Sequence, residues 1–216
     1  MAISTYADLK TAVQNWLVRS NLTDRIPEFI ALAETRIHYG SMEEPFKSEP
    51  LRIRAMENRV YSTINAQRIE LPTGFLQARR FYLNSDPIRK LDMVSTDQFW
   101  DTWVSSESGT PKQFCIEGEE IVFGPTPDSS YTGELLYYKA FTSLSAASDT
   151  NWLLTNASGA YLYGALIEAH SFTRNDAQAQ LCFNKFHGII DGLNFADKND
   201  RWTGSPWVIR NDTGNP

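Results

Sequence analysis

The chain has 216 residues, of which 42% are hydrophobic and 21% charged, a composition typical of a folded globular protein and unlike that of a disordered one. Its formal net charge of −6 excludes the uniformly basic surface that sequence-independent nucleic-acid binding requires. The sequence has neither an apolar run of roughly 20 residues nor a secretion signal, so we expect no membrane contact and synthesis in a cytoplasm.

The first helix is predicted from about Thr5 to Arg19. Thr5 followed three residues later by Asp8 resembles a capping box, which satisfies free backbone N–H groups at a helix start. Apolar residues then recur at helical spacing, so one face of the helix is expected to pack in the core. That face carries Tyr6, Leu9, Val13, Trp16 and Leu17.

A second helix is predicted from residue 23 or 24 to His38. Pro27 is tolerated in its first turn, where the backbone N–H has no helical partner, and Gly40 ends it. Its buried stripe consists of Ile26, Phe29, Ile30, Ala33 and Ile37. Because the connection is short, these two helices should form an antiparallel hairpin.

The other end of the chain predicts a second helical pair. Thr155 or Asn156 can cap its first helix, and Asn175-Asp176 can cap its second. The apolar positions are Leu162, Ala165, Leu166 and Ala169 in the first, and Leu181, Phe186, Ile189, Ile190 and Leu193 in the second. Two helices alone cannot bury their apolar faces, so we predict one four-helix bundle from residues 1–45 and 150–198.

Residues 46–149 change to a period of two and predict a β subdomain inserted into that bundle. Its predicted strands lie near residues 60–64, 81–83, 114–117, 119–123 and 134–138. Short turns, including Glu117-Gly118 and a rigid loop at 124–128, favour antiparallel pairing. One short helix is predicted where Ser95 precedes Gln98. The expected fold class is α+β: a four-helix bundle with an inserted antiparallel β subdomain and an extended tail.

Residues 199–216 form that extended C-terminal arm. Gly204 and Pro206 interrupt residues 203–206, and two tryptophans lie nearby, so the arm is too broken to fold alone. Large aromatic side chains lose exposed apolar area only by docking, which contributes about 1.5–3 kcal/mol for each one fully buried. We therefore interpret the arm as an intermolecular contact.

No catalytic, cofactor-binding or metal site is predicted. The residues that could carry such chemistry are isolated histidines, two adjacent pairs of glutamates, and two cysteines expected to be free thiols on a strand and a helix. They are His38, His170, His187, Glu43-Glu44, Glu119-Glu120, Cys115 and Cys182. None has the spacing of a zinc site or lies beside an identifiable base, so we interpret them as structural or solvated.

Two groups of residues in the insertion leave alternatives open. The aromatic residues could form a platform for sugar rings, or pack in the core and in interfaces; they are Trp100, Trp103, Tyr131, Tyr137 and Tyr138. The basic residues could face DNA in a channel, pair with acidic neighbours in an assembly, or be solvated; they are Arg52, Arg54, Arg59, Arg68, Arg79, Arg80, Arg89 and Lys90.

This order of elements resembles the bacteriophage head-to-tail adaptor proteins, including the tail tubular protein A type. The resemblance rests on blocks that span nearly the whole chain and are together fairly specific. They are residues 25–34 (RIPEFIALAE), 71–75 (LPTGF), 123–128 (FGPTPD), 135–138 (LLYY), 150–155 (TNWLLT), 161–166 (YLYGAL) and 201–206 (RWTGSP). It departs at residues 39–50, where GSMEEP indicates a loop in place of further helix.

The resemblance implies a ring, commonly of twelve copies, at the head-tail junction of the virion. Such a ring binds the portal above and a tail or nozzle protein below, and lets DNA pass without specific binding. It also implies that the arm docks on the portal, through Trp202, Pro206, Trp207, Ile209 and Arg210. The alternatives are a tail-completion protein that never touches the portal and, in another class, a virion module that binds or hydrolyses glycans.

Overall fold

The computed structural model describes residues 3–19, 21–103 and 107–201. These residues form five α-helices: α1 (Tyr6–Leu17), α2 (Ile26–Tyr39), α3 (Thr96–Thr102), α4 (Trp152–Phe172) and α5 (Asp176–Arg201). Single 3₁₀ turns lie at Thr23–Arg25 and Arg54–Met56. The strands are β1 (Glu57–Ile64), β2 (Arg68–Glu70), β3 (Phe75–Leu83), β4 (Arg89–Met93), β5 (Ser108–Gly109), β6 (Gln113–Glu117), β7 (Glu120–Gly124), β8 (Thr126–Pro127) and β9 (Tyr131–Lys139).

Local capping signals place two of these helices where the sequence predicts them. Thr5 Oγ1 accepts a hydrogen bond from the backbone N–H of Asp8, whose carboxylate accepts one from Thr5 N–H, both at 3.1 Å. Ser95 Oγ likewise accepts from Gln98 N–H at the start of α3. A capping side chain of this kind stabilises a helix by about 1 kcal/mol.

The start of α4 lies earlier than predicted. Asn151, and neither Thr155 nor Asn156, caps it by accepting a hydrogen bond from Leu154 N–H at 2.9 Å. The helix then departs from helical geometry at Ala157 (φ −147°, ψ 56°) before continuing. The predicted caps therefore precede the straight part of the helix, and the first turn was missed.

Helix α4 is the centre of the helical part. It contacts α1, α2 and α5, whereas α1 and α2 touch each other only slightly. Its own apolar residues are distributed on all sides of the helix, as expected for a buried helix. At Gly164 it approaches α2 so closely that an added Cβ would lie 2.9 Å from the Cβ of Ala33.

Seven strands form one mixed and nearly closed sheet, in the order β1-β9-β3-β4-β6-β7-β2. All neighbours pair antiparallel except β4 and β6, which are parallel. Strands β5 and β8 form a separate parallel pair, and β8 lies within what we expected to be the rigid loop at residues 124–128. Phe81, Phe114 and Phe123 meet inside the sheet with ring centroids about 5.5 Å apart.

The predicted fold class is therefore wrong. The protein is not a four-helix bundle with a small antiparallel insertion, because the sheet is large and mixed and the helices pack around α4. A parallel pair needs a crossover, and α3 supplies it between β4 and β6. A short helix was predicted at α3, but between strands that were expected to pair antiparallel.

The hydrophobic core has three parts. The largest lies among the long helices and also takes in Leu51, Ile53, Met56 and Tyr138, which come from the sheet and its entry segment. A second lies inside the sheet, and a third lies between α3 and β6–β7. Helices and sheet thus share core residues. No helix in the described ranges is long and apolar enough to cross a membrane.

The loop predicted after α2 is present. Helix α2 ends at Tyr39, and Gly40 (φ 72°) turns the chain into a loop whose ends pair at Ser41 and Ser48. A Cβ at Gly40 would lie 2.5 Å from Ser48 O, so only glycine fits this turn.

Candidate assembly surfaces

The six arginines predicted to face a channel or a neighbouring subunit do not form one basic surface. Five of them contact carboxylates or carbonyl oxygens of their own chain, and Arg80 alone among the six does not within the described residues. They are Arg52, Arg54, Arg59, Arg68, Arg79 and Arg80.

Three ion-paired arginines meet at the C-terminal end of α5, in a group we call the α5-end cluster. Glu57 Oε1 accepts from Arg79 at 2.6 Å and from Arg201 at 2.8 Å. Arg54 pairs with Asp197 and Asp200. The cluster consists of Arg54, Glu57, Arg79, Tyr138, Asp197, Asp200 and Arg201. Its three arginines and three carboxylates balance, so it contributes no net charge to the surface.

The same helix holds the segment that enters the sheet. Asn194 Oδ1 accepts from Arg52 N–H at 2.9 Å, and Asp197 Oδ1 accepts from Arg54 N–H at 2.8 Å. Because Asn194 and Asp197 are three residues apart, they lie on one face of α5. This fixes Arg201, at the end of the helix, against β1.

Arg52 makes its contacts within the subunit. Its guanidinium donates to His38 O at 2.9 Å and Leu51 O at 2.7 Å and lies over the ring of Tyr138. Burial lowers the pKa of this guanidinium, although it stays charged at neutral pH. Its charge is directed at carbonyl oxygens inside the protein.

The outward side of β1, β9, β3 and β4 forms an exposed surface that we call the outer sheet face. Arg59, Leu136 and Arg80 lie side by side across three strands, because Leu136 is opposite both arginines. The next row consists of Tyr61, Glu134, Tyr82 and Lys90. Arg59 pairs with Glu134 at 3.1 Å, and Tyr61 is 58% exposed. This mixture of aromatic and charged groups is typical of a protein interface.

Arg68 lies away from the other arginines, on the edge strand β2. It pairs with Glu117 at 2.7 Å and with Glu120 at 3.0 Å and lies 6.0 Å from the ring of Trp100. The hydrogen bond from Arg68 lowers the pKa of the Glu117 carboxyl, and the hydrogen bond from Trp100 lowers it by a smaller amount. One of the glutamates considered above as a possible acid, Glu120, is therefore an ion-pair partner.

Glu119 lies nearby in an open cleft of about 810 Å³, between residues 71–75 and the β6–β7 turn. Glu43 and Glu44 are exposed in the loop after α2 and do not line this cleft. The two glutamate pairs are thus separate features of the surface.

The five aromatic residues considered as a sugar platform are not brought together. Tyr137 faces the inside of the sheet and stacks on Phe75 at 5.6 Å, whereas Tyr138 faces the α5-end cluster. Trp103 is part of the packing under α3, and its indole N–H donates to Gln113. Tyr131 hydrogen-bonds with Asp128, and Trp100 donates to Glu117.

His38 and Glu34, one helical turn apart on α2, hold the segment between β9 and α4. His38 Nε2 accepts from Phe141 N–H at 3.2 Å, and Glu34 Oε1 accepts from Leu144 N–H at 2.7 Å. Burial lowers the pKa of His38 to about 4, with a smaller contribution from Arg52, so the imidazole is neutral at pH 7. Burial raises the pKa of Glu34.

The remaining candidate residues have ordinary surroundings. His187 pairs with Asp191 one turn along α5, and His170 is partly buried at the end of α4. Burial raises the pKa of both thiols, Cys115 on β6 and Cys182 on α5, which keeps them protonated and unreactive. Within residues 3–19, 21–103 and 107–201, no three His, Cys, Asp or Glu side chains are grouped so as to hold a metal ion.

A family model matches almost the whole sequence. The model for the SU10 adaptor protein family covers residues 4–210, which include every helix and strand described above. The protein belongs to the SU10 adaptor family. No curated protein matches the chain.

Membership of the SU10 adaptor family confirms the predicted relationship to phage adaptors. It identifies the protein as a structural component of a phage virion that contacts other head or tail proteins. The predicted portal-docking residues, Trp202, Pro206, Trp207, Ile209 and Arg210, lie outside the described residues. Residues 199–201, which we assigned to the arm, are the last residues of α5.

Sequence reasoning missed the carboxylates of this SU10 adaptor that pair with the arginines. Glu57 is 144 positions from Arg201, so no local pattern connects this carboxylate to that arginine. The acidic residues near the end of α5 did carry a signal. Asp197 and Asp200 oppose the helix dipole at a C-terminus, which is unfavourable unless cations lie close by.

Proposed function

We propose that this protein is the head-to-tail adaptor of a tailed phage. Copies of the chain form a ring beneath the portal, join the DNA-filled head to the tail and continue the DNA channel. The ring has twelve copies, and the protein works by assembly and not by catalysis. The observation that carries this proposal is the family match over residues 4–210.

The charges support a channel through which DNA passes without being held. The chain is acidic overall, and four of the six candidate arginines are ion-paired within the subunit. Paired arginines release few counterions from DNA, and counterion release supplies most of non-specific affinity. DNA can therefore slide past the ring during ejection.

Exposed apolar side chains support assembly. Thirteen large hydrophobic residues are exposed in the described part of the chain, among them Tyr61 on the outer sheet face and Phe195 on α5. A closed ring uses two different surfaces of each subunit, since one must fit the other on the next copy. Exposed apolar residues on both the outer sheet face and the helical side are available for such contacts.

The arm is the proposed contact with the portal. The family match extends to residue 210, so it includes the proposed docking residues Trp202 to Arg210. The α5-end cluster holds Arg201, the residue just before the proposed docking segment, against β1, which supports a common origin for the arms. In a ring, all arms would then start at the same height.

Co-sedimentation with isolated portal rings of the same virion tests this proposal. A chain ending after Arg201 keeps the α5-end cluster and should fold with the same thermal midpoint but no longer sediment with the portal. The matched variant Trp202→Ala with Trp207→Ala keeps the length of the arm and should also lose binding. Unchanged portal binding by both would reject the role of the arm, and absence of binding by the full chain would favour a tail-completion protein.

A further inference from the structure

Two residues predicted to be buried are exposed, and both line the same groove. Trp16 on α1 is 52% exposed and Leu181 on α5 is 55% exposed, although each occupies an apolar position of its helix. The α1/α5 groove that they line has a volume of about 310 Å³. Its other lining residues are His170, Gln178, Cys182 and Lys185.

The groove is basic as well as apolar. The Lys185 ammonium lies 5.5 Å from the ring centroid of Trp16 and 5.1 Å from that of Tyr163. Lys185 makes no ion pair among the described residues. A ligand that presents an apolar side chain beside carboxylates would satisfy both properties of the groove.

The loop after α2 has the complementary composition. Met42, directly after Ser41, is 80% exposed and is followed by exposed Glu43 and Glu44. Across residues 40–50, Glu43, Glu44 and Glu49 outnumber the one cation, Lys47. None of these carboxylates has an ion-pair partner in the described part of the chain.

The base of this loop is fixed, so the tip is presented as a preformed knob. Ser41 and Ser48 pair through two backbone hydrogen bonds of 2.9 Å. Arg36 donates to Phe46 O, and the Phe46 ring packs on Phe183 of α5 at 5.5 Å. A preformed knob loses little conformational entropy when it binds.

Knob and groove lie on opposite flanks of α5. The loop packs against Phe183, whereas Leu181 and Lys185 line the groove. At 100° per residue these positions are about 160° apart around the helix. The buried residues Phe186 and Ile190 lie between the two flanks. One subunit therefore cannot fill its own groove, but it can fill that of a neighbour.

We propose that the Met42-Glu43-Glu44 knob of one copy docks in the α1/α5 groove of the next. The Met42 side chain packs on Trp16 and Leu181, and the two carboxylates face Lys185. The contact joins different surfaces of two identical chains, as a ring requires. This inference rests on the proposed function and specifies one of its subunit interfaces.

Charge reversal tests the interface by sedimentation velocity, with the chain alone and with portal rings. Lys185→Glu should weaken self-association by about tenfold or more, and Glu43→Lys with Glu44→Lys should do the same. All three changes in one chain restore opposite charges at every contact and should return association to within about threefold of wild type. Lys112→Glu reverses an exposed charge outside the groove and should assemble normally.

The outcomes separate this inference from the proposed function. If wild type forms rings and Lys185→Glu does so equally well, or if the triple variant assembles no better than the single ones, the knob-and-groove contact is wrong. If wild type stays monomeric both alone and with portal rings, the proposed ring is wrong, and the proposed knob-and-groove contact is then wrong as well. Circular dichroism and thermal midpoints equal to wild type ensure that each variant is folded.

Discussion

Arg201, at the end of α5, and Glu57, at the start of β1, are joined by an ion pair of 2.8 Å across 144 positions of the chain. The same Glu57 oxygen accepts from Arg79 on β3 at 2.6 Å. One carboxylate therefore ties the last helix to two strands. Any force applied to the arm after Arg201 would be transmitted to the sheet through this pair.

Glu57→Gln should lower the free energy of unfolding by about 1–2 kcal/mol, because it leaves two partly buried arginines without their shared carboxylate. Glu134→Gln is the matched control. It removes one ion pair to the half-exposed Arg59 and should cost at most about 0.5 kcal/mol. Urea unfolding at pH 7 measures both, and equal losses would contradict a special role for Glu57.

Gly164→Ala should destabilise the protein by about 1–3 kcal/mol. The new methyl group would lie 2.9 Å from the Cβ of Ala33, so α2 and α4 would have to separate. Gly188→Ala on α5 introduces a Cβ with no atom within 4 Å and should stabilise the helix by about 0.5–1 kcal/mol. Thermal unfolding should therefore shift in opposite directions for the two variants.

His38 should make stability depend on pH. Its pKa of about 4 in the folded protein is below its usual 6.5, so the unfolded chain takes up the proton first as the pH falls. The stability associated with neutral His38 is complete above pH 6.5 and declines as the pH falls toward 4. At pH 5 the loss amounts to about 2 kcal/mol. Glu34, whose pKa is raised by burial, acts in the opposite direction. Protonation at low pH removes its buried negative charge, which stabilises the folded protein.

The variant His38→Gln separates the two effects, because its amide oxygen can still accept from Phe141 N–H while Glu34 is unchanged. We expect wild type to lose about 2 kcal/mol more than the variant between pH 7.5 and pH 5. Urea unfolding at both pH values gives this difference. Parallel curves for the two proteins would show that His38 is not buried as a neutral group.

The candidate arginines should divide into two classes. Arg52→Ala removes a partly buried guanidinium that binds two carbonyl oxygens and packs on Tyr138, and it should cost about 2–3 kcal/mol. Arg80→Ala removes an exposed side chain over Tyr82 and should change stability by less than about 0.5 kcal/mol. Similar unfolding midpoints for both would contradict the internal role assigned to Arg52.

Local signals predicted much of the secondary structure. The capping pair Thr5 and Asp8 fixed the start of α1, and Ser95 with Gln98 fixed the start of α3, because both signals act over three residues. The loop after α2 was predicted because Gly40 breaks the helix. Relationship to phage adaptors was predicted from blocks spread along the chain and is confirmed by the family match.

Non-local pairing was not predictable in this way. The parallel contact of β4 with β6 joins Asp92 to Gln113 and Met93 to Phe114, and neither strand has a pattern that distinguishes parallel from antiparallel neighbours. The exposure of Trp16 and Leu181 was missed because periodicity identifies an apolar face but not whether its own chain covers all of it. The α5-end cluster was missed for a related reason. Arg54 and Arg79 pair with carboxylates that are distant in the chain, and sequence position does not reveal these partners.

We propose that copies of this SU10-family adaptor assemble as a ring on the portal. Electron-microscopic images of the purified chain mixed with isolated portal rings of the same virion test it most directly. We expect a second ring of about twelve copies stacked on the portal, with an open axial channel. Portal rings that remain bare, or single copies bound at scattered positions with no closed ring, would contradict the account.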